Sequence, residues 1–195
     1  ADKYRMRYEK GIYADQEKCL GSYAFLWGQK QETTPTWYGL FTNKGKETEV
    51  MDVLQYCWSR EWPENRAPHI NTLTINGKTA FENIVLKANK AYPIVADIKD
   101  PDGDKLSFRW QILESEIGLT GTGGDAEVTP EPIKIKVASG AQGAKELAER
   151  YLDTGETGTF TFKAPLQPGA YRLFVYAYDN KGNVATANAP FYIER

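Results

Sequence analysis

The chain has 195 residues, with 24 Lys+Arg against 26 Asp+Glu and a formal net charge of −2. An apolar fraction of 41% and a charged fraction of 26% are those of a globular protein, and the charge balance excludes a surface built to attract nucleic acid or anionic membrane. The longest apolar runs, 23–27 and 173–178, fall well short of the roughly 20 residues of a membrane span, so no span is expected, and no basic-then-apolar leader opens the chain, so a signal peptide is absent or already removed. In chain order, Tyr4, Tyr8, Ile12 and Tyr13 recur at helical spacing and predict a helix over 2–17, weakened by Gly11. The nearly continuous apolar run 19–28 predicts a strand buried on both faces, as in a parallel sheet. Residues 37–41 form a short extended piece and Asn43-Lys44-Gly45 a turn. A strong helix follows over 46–62, with Val50, Val53, Leu54, Cys57 and Trp58 on one stripe, Thr48 as N-cap and Pro63 past its end. Residues 63–68, with two prolines, read as a linker.

Beyond residue 68 the period changes to two. The segments 71–77, 93–98, 106–113, 133–138, 159–164, 171–178 and 183–194 alternate apolar and polar residues, and turn residues separate them. This is the pattern of an antiparallel β-sandwich. A helix over 141–152 interrupts it, and the Gly-rich stretch 118–124 reads as a loop. Trp110 falls on the apolar face of its strand and belongs to the core. Arg172, Phe174, Tyr176 and Tyr178 share the face opposite Leu173 and Val175, and whichever of the two faces is the outer one is a candidate sugar surface if it is aromatic.

The chemistry is limited by two cysteines and one histidine. Cys19 and Cys57 do not supply a four-ligand metal cluster, and the spacing leaves both a disulfide and two thiols open. His69 follows Pro68 at the junction and reads as a linker histidine rather than a base. Aromatic residues reach 13%, with 5 Trp and 12 Tyr, which suits sugar-binding surfaces and β-rich cores alike. Trp37 lies in a loop beside Tyr38, where an exposed ring stacks on a pyranose. Asp97, Asp100, Asp102, Asp104 and Asp179 are candidate ligands for calcium, which takes about six to eight oxygens. The spacing is not that of an EF-hand, and the alternative is a polar turn in which the Asp side chains accept nearby backbone N–H groups. No other cofactor is required by the sequence.

Residues 19–55, CLGSYAFLWGQKQETTPTWYGLFTNKGKETEVMDVLQ, resemble the end of the catalytic barrel in glycoside hydrolases of clan A, especially the β-galactosidase-like and β-glucuronidase-like enzymes. Gly21, Tyr23, Phe25 and Trp27 match that family's last barrel strand, and Tyr38-Gly39-Leu40-Phe41 with the following helix match its close. The resemblance implies that 1–66 is the last strand–helix unit of a TIM-barrel-like catalytic domain. It also implies that the two carboxylates, about 5–5.5 Å apart in a retaining enzyme, lie upstream of residue 1. Glu17 and Glu32 do not sit where the family places its pair, so no residue of this chain is assigned as catalytic. Trp27 matches a position that lines the sugar subsite, with core packing as the alternative. An isolated barrel end leaves apolar faces and strand edges bare, so 1–66 is expected to pack on the sandwich or to self-associate.

Residues 100–110, DPDGDKLSFRW, resemble the second-to-third-strand hairpin of immunoglobulin-like, polycystic-kidney-disease-type modules, and 171–193 resemble their last hairpin. The implied architecture is α+β: a partial α/β barrel-end segment (helix–strand–helix) over 1–66, then an immunoglobulin-like antiparallel β-sandwich over 67–195. Such modules accompany secreted carbohydrate-active enzymes, which implies a periplasmic or secreted location. The leading functional expectation is the non-catalytic C-terminal portion of a glycoside hydrolase, with an accessory module for carbohydrate binding or structural support. The alternative is a stand-alone carbohydrate-binding or adhesion protein. An active glycosidase is disfavoured by the missing acid pair and the single histidine. The expected partner is a poly- or oligosaccharide.

Overall fold

In a computed structural model, which describes residues 1–32, 34–115, 133, 136–137 and 157–195, the helical spacing of the first tyrosines is realised. Helix α1 (Asp2–Arg7) widens into a π-helical turn at Tyr8–Ile12 and tightens into a 3-10 turn at Tyr13–Asp15. Its tyrosines do what the spacing implies. Tyr8, with Tyr4, Ile12 and Tyr13 around it, packs against Val53, Leu54 and Cys57 of helix α2 (Glu49–Ser59).

The run 19–28 departs from expectation: it is neither a strand nor buried. Leu20 and Tyr23 are fully exposed, and Phe25 and Trp27 are more than half exposed. A strand with two apolar faces requires backbone neighbours along both edges. Among the described residues this run meets other extended backbone only near its end, where Leu26 O accepts from Leu40 N–H (3.2 Å) and Gly28 O accepts from Phe41 N–H (3.3 Å). The extended pieces that follow pair with each other instead, as an antiparallel hairpin of β1 (Gln29–Glu32) and β2 (Thr34–Gly39). Gly39 closes it at φ 153°, and a Cβ there would lie 2.9 Å from both Gly28 O and Phe41 O. Only a residue without a side chain passes through that gap.

After the short strand β3 (Glu47–Thr48), α2 begins at the predicted place. Thr48 occupies the N-cap position, yet its hydroxyl donates to Leu40 O (3.0 Å) rather than accepting from the first helical turn. Trp58 is exposed rather than part of the stripe. It stands at the stripe's margin, and its Nε1–H donates to Tyr8 OH at 2.9 Å. Arg60 ends the helix in the left-handed region, φ 68°.

The sandwich strands are β4 (His69–Ile75), β5 (Lys78–Thr79), β6 (Val85–Lys87), β7 (Ala91–Lys99), β8 (Ser107–Glu114), β9 (Lys136–Val137), β10 (Thr157–Lys163), β11 (Gly169–Tyr178) and β12 (Asn183–Glu194), of which the short β5 and β6 fall outside the period-two segments. The Asn76-Gly77 turn joins β4 to β5 with both residues at positive φ, 53° and 75°, as a tight hairpin requires. One sheet runs β5-β4-β7-β10-β9 and the other β3-β12-β11-β8, with β6 also on β12. Between them lies one core, to which Ile75, Ile94, Ile98 and Phe162 contribute from the first sheet and Phe108, Trp110, Ile112, Leu173, Val175 and Phe191 from the second. The chain is therefore α+β with a β-sandwich. The predicted helix 141–152 and loop 118–124 lie outside the described residues.

The second sheet is buried on its other face as well. Leu113, Phe174, Tyr176 and Val184 form a separate buried cluster, with Tyr178 stacked on Tyr176 at 6.5 Å. The aromatic stripe of β11 is thus packing, and neither face offers it to a sugar.

Replacing Trp110 with Ala is expected to cost on the order of 3–5 kcal/mol, because a buried indole leaves a large cavity. Urea denaturation followed by circular dichroism measures it, and a change below about 1 kcal/mol would mean the ring is not core. Gly39→Ala is expected to disturb the amide resonances of the β1–β2 hairpin while leaving those of β11 and β12 in place.

Candidate functional site

Three groupings have chemical potential, and the first is the exposed aromatic run. The N-terminal helical segment holds it in two places: Tyr4 OH donates to Phe25 O at 2.8 Å, and the Tyr8 and Ser22 hydroxyls are hydrogen-bonded at 2.5 Å. Trp27, 69% exposed, meets the Phe41 ring edge-on with centroids 5.0 Å apart. Phe41 in turn forms part of the wall of a cleft of about 690 Å³. The rest of the wall comes from α1 (Lys3, Arg7), β2 (Thr36), the start of α2 (Thr48, Glu49) and the edge of β12 (Thr186). Hydroxyls, both signs of charge and an aromatic ring therefore surround one concavity. Trp37 and Tyr38 lie on β2, and their side chains lie outside the described residues.

The second grouping is the acidic loop before β8. Carboxylate oxygens of Asp100, Asp102 and Asp104 lie within 4.8 Å of one another. Asp97 is not among them, because it points outward from β7, and Asp179 is not among them, because it turns into the β11–β12 loop. The three are already engaged. Asp100 Oδ1 accepts from Asp102 N–H (3.0 Å) and Asp104 N–H (2.9 Å), Asp102 Oδ2 accepts from Arg66 N–H (2.6 Å), and Asp104 Oδ1 meets Lys181 Nζ at 2.5 Å. Asp104 holds the Lys181 ammonium above its usual range. Asp100 Oδ2 and Asp104 Oδ2 are buried without a hydrogen-bond partner among the described residues. The arrangement is that of a polar turn, and a calcium ion there would have to compete with an ammonium already seated on one of its ligands.

The third grouping lies where α2 meets the sandwich. Asp52 of α2 is 2% exposed, and its Oδ2 accepts from Ala67 N–H at 2.7 Å. One turn earlier, Glu49 Oε1 lies 2.8 Å from His69 Nδ1. Asp179, equally buried, accepts through Oδ1 from the N–H groups of Lys181 (2.8 Å), Gly182 (3.0 Å) and Asn183 (2.9 Å), and through Oδ2 from Asn65 Nδ2 (2.7 Å). Trp62 is stacked between Tyr56 (4.4 Å) and the Arg66 guanidinium (4.1 Å), so it packs at the junction. The proline-bearing segment 63–68 is thus fastened at several points rather than a free linker. Cys19 and Cys57 are both free thiols. Asp52 and the cleft threonines carry no motif. The one legible signal for Asp52 was its place in the first turn of an amphipathic helix, and that predicts a dipole partner rather than a buried acceptor.

No protein-family model matches the chain, and neither does any curated protein. Among solved structures, the PmoD soluble domain from Methylocystis sp. ATCC 49242 (Rockwell) is similar at 18% identity and a TM-score of 0.33, over 69% of this chain and 95% of that one. A conjugate transposon protein from Bacteroides vulgatus, residues 27–141, is similar at 12% identity and a TM-score of 0.37, over 67% and 88% respectively.

Asp179→Ala is expected to destabilise the protein by on the order of 3 kcal/mol, since it strips the acceptor from three backbone donors and the Asn65 amide. Asp179→Asn, which keeps one oxygen, should lose less. Thermal melting of the two variants checks the order, and equal melting temperatures for Asp179→Ala and the parent would contradict it.

Proposed function

We propose that the chain is the non-catalytic C-terminal portion of a glycoside hydrolase, and that it applies its exposed aromatic run to carbohydrate. The observation that carries this reading is Trp27, a largely exposed indole braced by Phe41 at the wall of a cleft lined with hydroxyls and charges. Sugars offer apolar C–H faces to rings and hydroxyls to polar side chains, and a flat, braced indole beside such a cleft meets both demands. The bare run 20–27 also supports the barrel-end part of the proposal, because a strand of that composition is stable only between neighbouring strands. The sandwich, with its Asp-Pro-Asp-Gly-Asp loop and core Trp110, supports an immunoglobulin-like accessory module. A periplasmic or secreted location follows from the same family resemblance. The described acids support a non-catalytic role: the 100–104 cluster accepts backbone N–H groups and an ammonium, and Glu49 is paired with His69.

Affinity electrophoresis through gels containing soluble polysaccharides tests the proposal. The chain should be retarded by at least one of them, and Trp27→Ala should weaken the retardation by about tenfold or more, as for truncation of an aromatic anchor. Aryl glycosides should not be turned over. Retardation that is unchanged in Trp27→Ala, or hydrolysis abolished by mutating one acid of this chain, would overturn it.

A further inference from the structure

The acid that fastens α2 to the segment leading into β4 has a property that no sugar-binding role uses. Asp52 is a carboxylate withdrawn almost wholly from water, and among the described residues a single backbone donor, Ala67 N–H at 2.7 Å, meets its Oδ2. Ala67 is itself buried, at 1% exposure. A charged carboxylate in such a place loses hydration that one N–H does not replace, whereas a neutral carboxyl keeps an oxygen for the same N–H and loses far less.

We infer that Asp52 is a proton-operated latch, which holds the 60–68 connection against α2 more firmly in mildly acidic than in alkaline solution. The charged groups around it are Glu49 on its own helix, Glu47 on β3, and Arg66 beside Ala67. His69, at the start of β4, is joined to Glu49. Arg66 favours the charged carboxylate, and the two glutamates oppose it. Burial, the largest influence, acts with the glutamates; it outweighs the Ala67 N–H and Arg66, which both favour the charged form, and pushes the Asp52 carboxyl from 3.8 up to about 6. The sign follows from the raised value. When the latch opens, Asp52 regains water and its ordinary acidity. Closure is therefore favoured fully below the ordinary carboxylate range, and that advantage is lost as the pH rises through about 6. Glu49–His69 is a second bridge between the same elements, and it is an ion pair only when the imidazole is protonated. The test must therefore separate the two.

Hydrogen exchange of the Ala67 amide, expressed as a protection factor so that the intrinsic pH dependence of exchange cancels, reads the latch directly. Protection in the parent should rise about tenfold from pH 8 to pH 5, the ratio given by carboxyl values of about 6 closed and 3.8 open. The amides of Leu173 and Val175 in the sandwich core should not share that rise. His69→Gln should keep the dependence. Asp52→Asn, which retains an acceptor but no titrating proton, should abolish it and stay protected at pH 8. A flat profile in the parent, a parallel rise in the core amides, or an unchanged profile in Asp52→Asn each overturns the latch. Should Asp52→Asn fail to fold, the side-chain carboxyl carbon of Asp52 gives an independent reading by NMR: a midpoint near 6 supports the inference, and one near 4 overturns it. Neither readout depends on whether the chain binds carbohydrate.

Discussion

The β11–β12 hairpin is the constraint on which the rest of the fold depends. Buried backbone groups must be paired, and β12 satisfies that requirement on two sides. Along one edge it is matched with β11 from Gly169 opposite Ile193 to Tyr178 opposite Val184. Its other edge takes β3 in parallel at Asn183 and Val184, and β6 in parallel from Tyr192 to Glu194. The hairpin turn is held by Asp179, whose second oxygen reaches out to Asn65, while Asn183 Nδ2 returns a bond to Asn65 O at 3.2 Å. The N-terminal third is therefore not strung on a tether. It is sewn into the sandwich at a strand, at a turn and at the 65–67 backbone.

The sandwich was legible because alternation is enforced wherever a sheet has a buried face. Ile94, Ala96 and Ile98 had to point one way, and Phe108, Trp110 and Ile112 had to meet them. The Asn-Gly turn and the α2 stripe were legible for the same local reasons. The second face of β11 was misread in part, because alternation marks two sets of side chains and does not say that both are covered. Leu113, Phe174 and Tyr176 are as buried as the set opposite. The run 19–28 was misread for a different reason. Its composition specifies a strand only in the company of other strands, and sequence composition records the preference without recording the company.

Acids were the least legible residues. The Asp residues of 97–104 and Asp179 have the composition of a cation site, and what distinguishes a ligand from a turn former is the direction of each oxygen. In this chain Asp100, Asp102 and Asp179 each turn at least one oxygen to an N–H group: Asp100 toward its own loop, Asp102 toward Arg66, Asp179 toward its own hairpin and Asn65. A carboxylate that accepts from backbone fixes the path of the chain, much as a helix cap does, and it fixes it across long stretches of sequence. Asp52 and Ala67 show the cost of doing so in a dry place, where the charge itself becomes unwelcome.

The two short parallel strands on β12 also bear on how the molecule meets other copies of itself while folding. An open strand edge is a template for any incoming chain, and long flat edges are where β-proteins begin to aggregate. Here β3 and β6 stop the edge at both ends, so that among the described residues the stretch between residues 184 and 192 is left for an intruder. That stretch includes Pro190, which has no N–H to donate, and the cleft-lining residues Ala185, Thr186 and Ala187. Five residues in two short strands thus act as bungs for the longest strand among the described residues, and losing either one would lengthen the reactive edge.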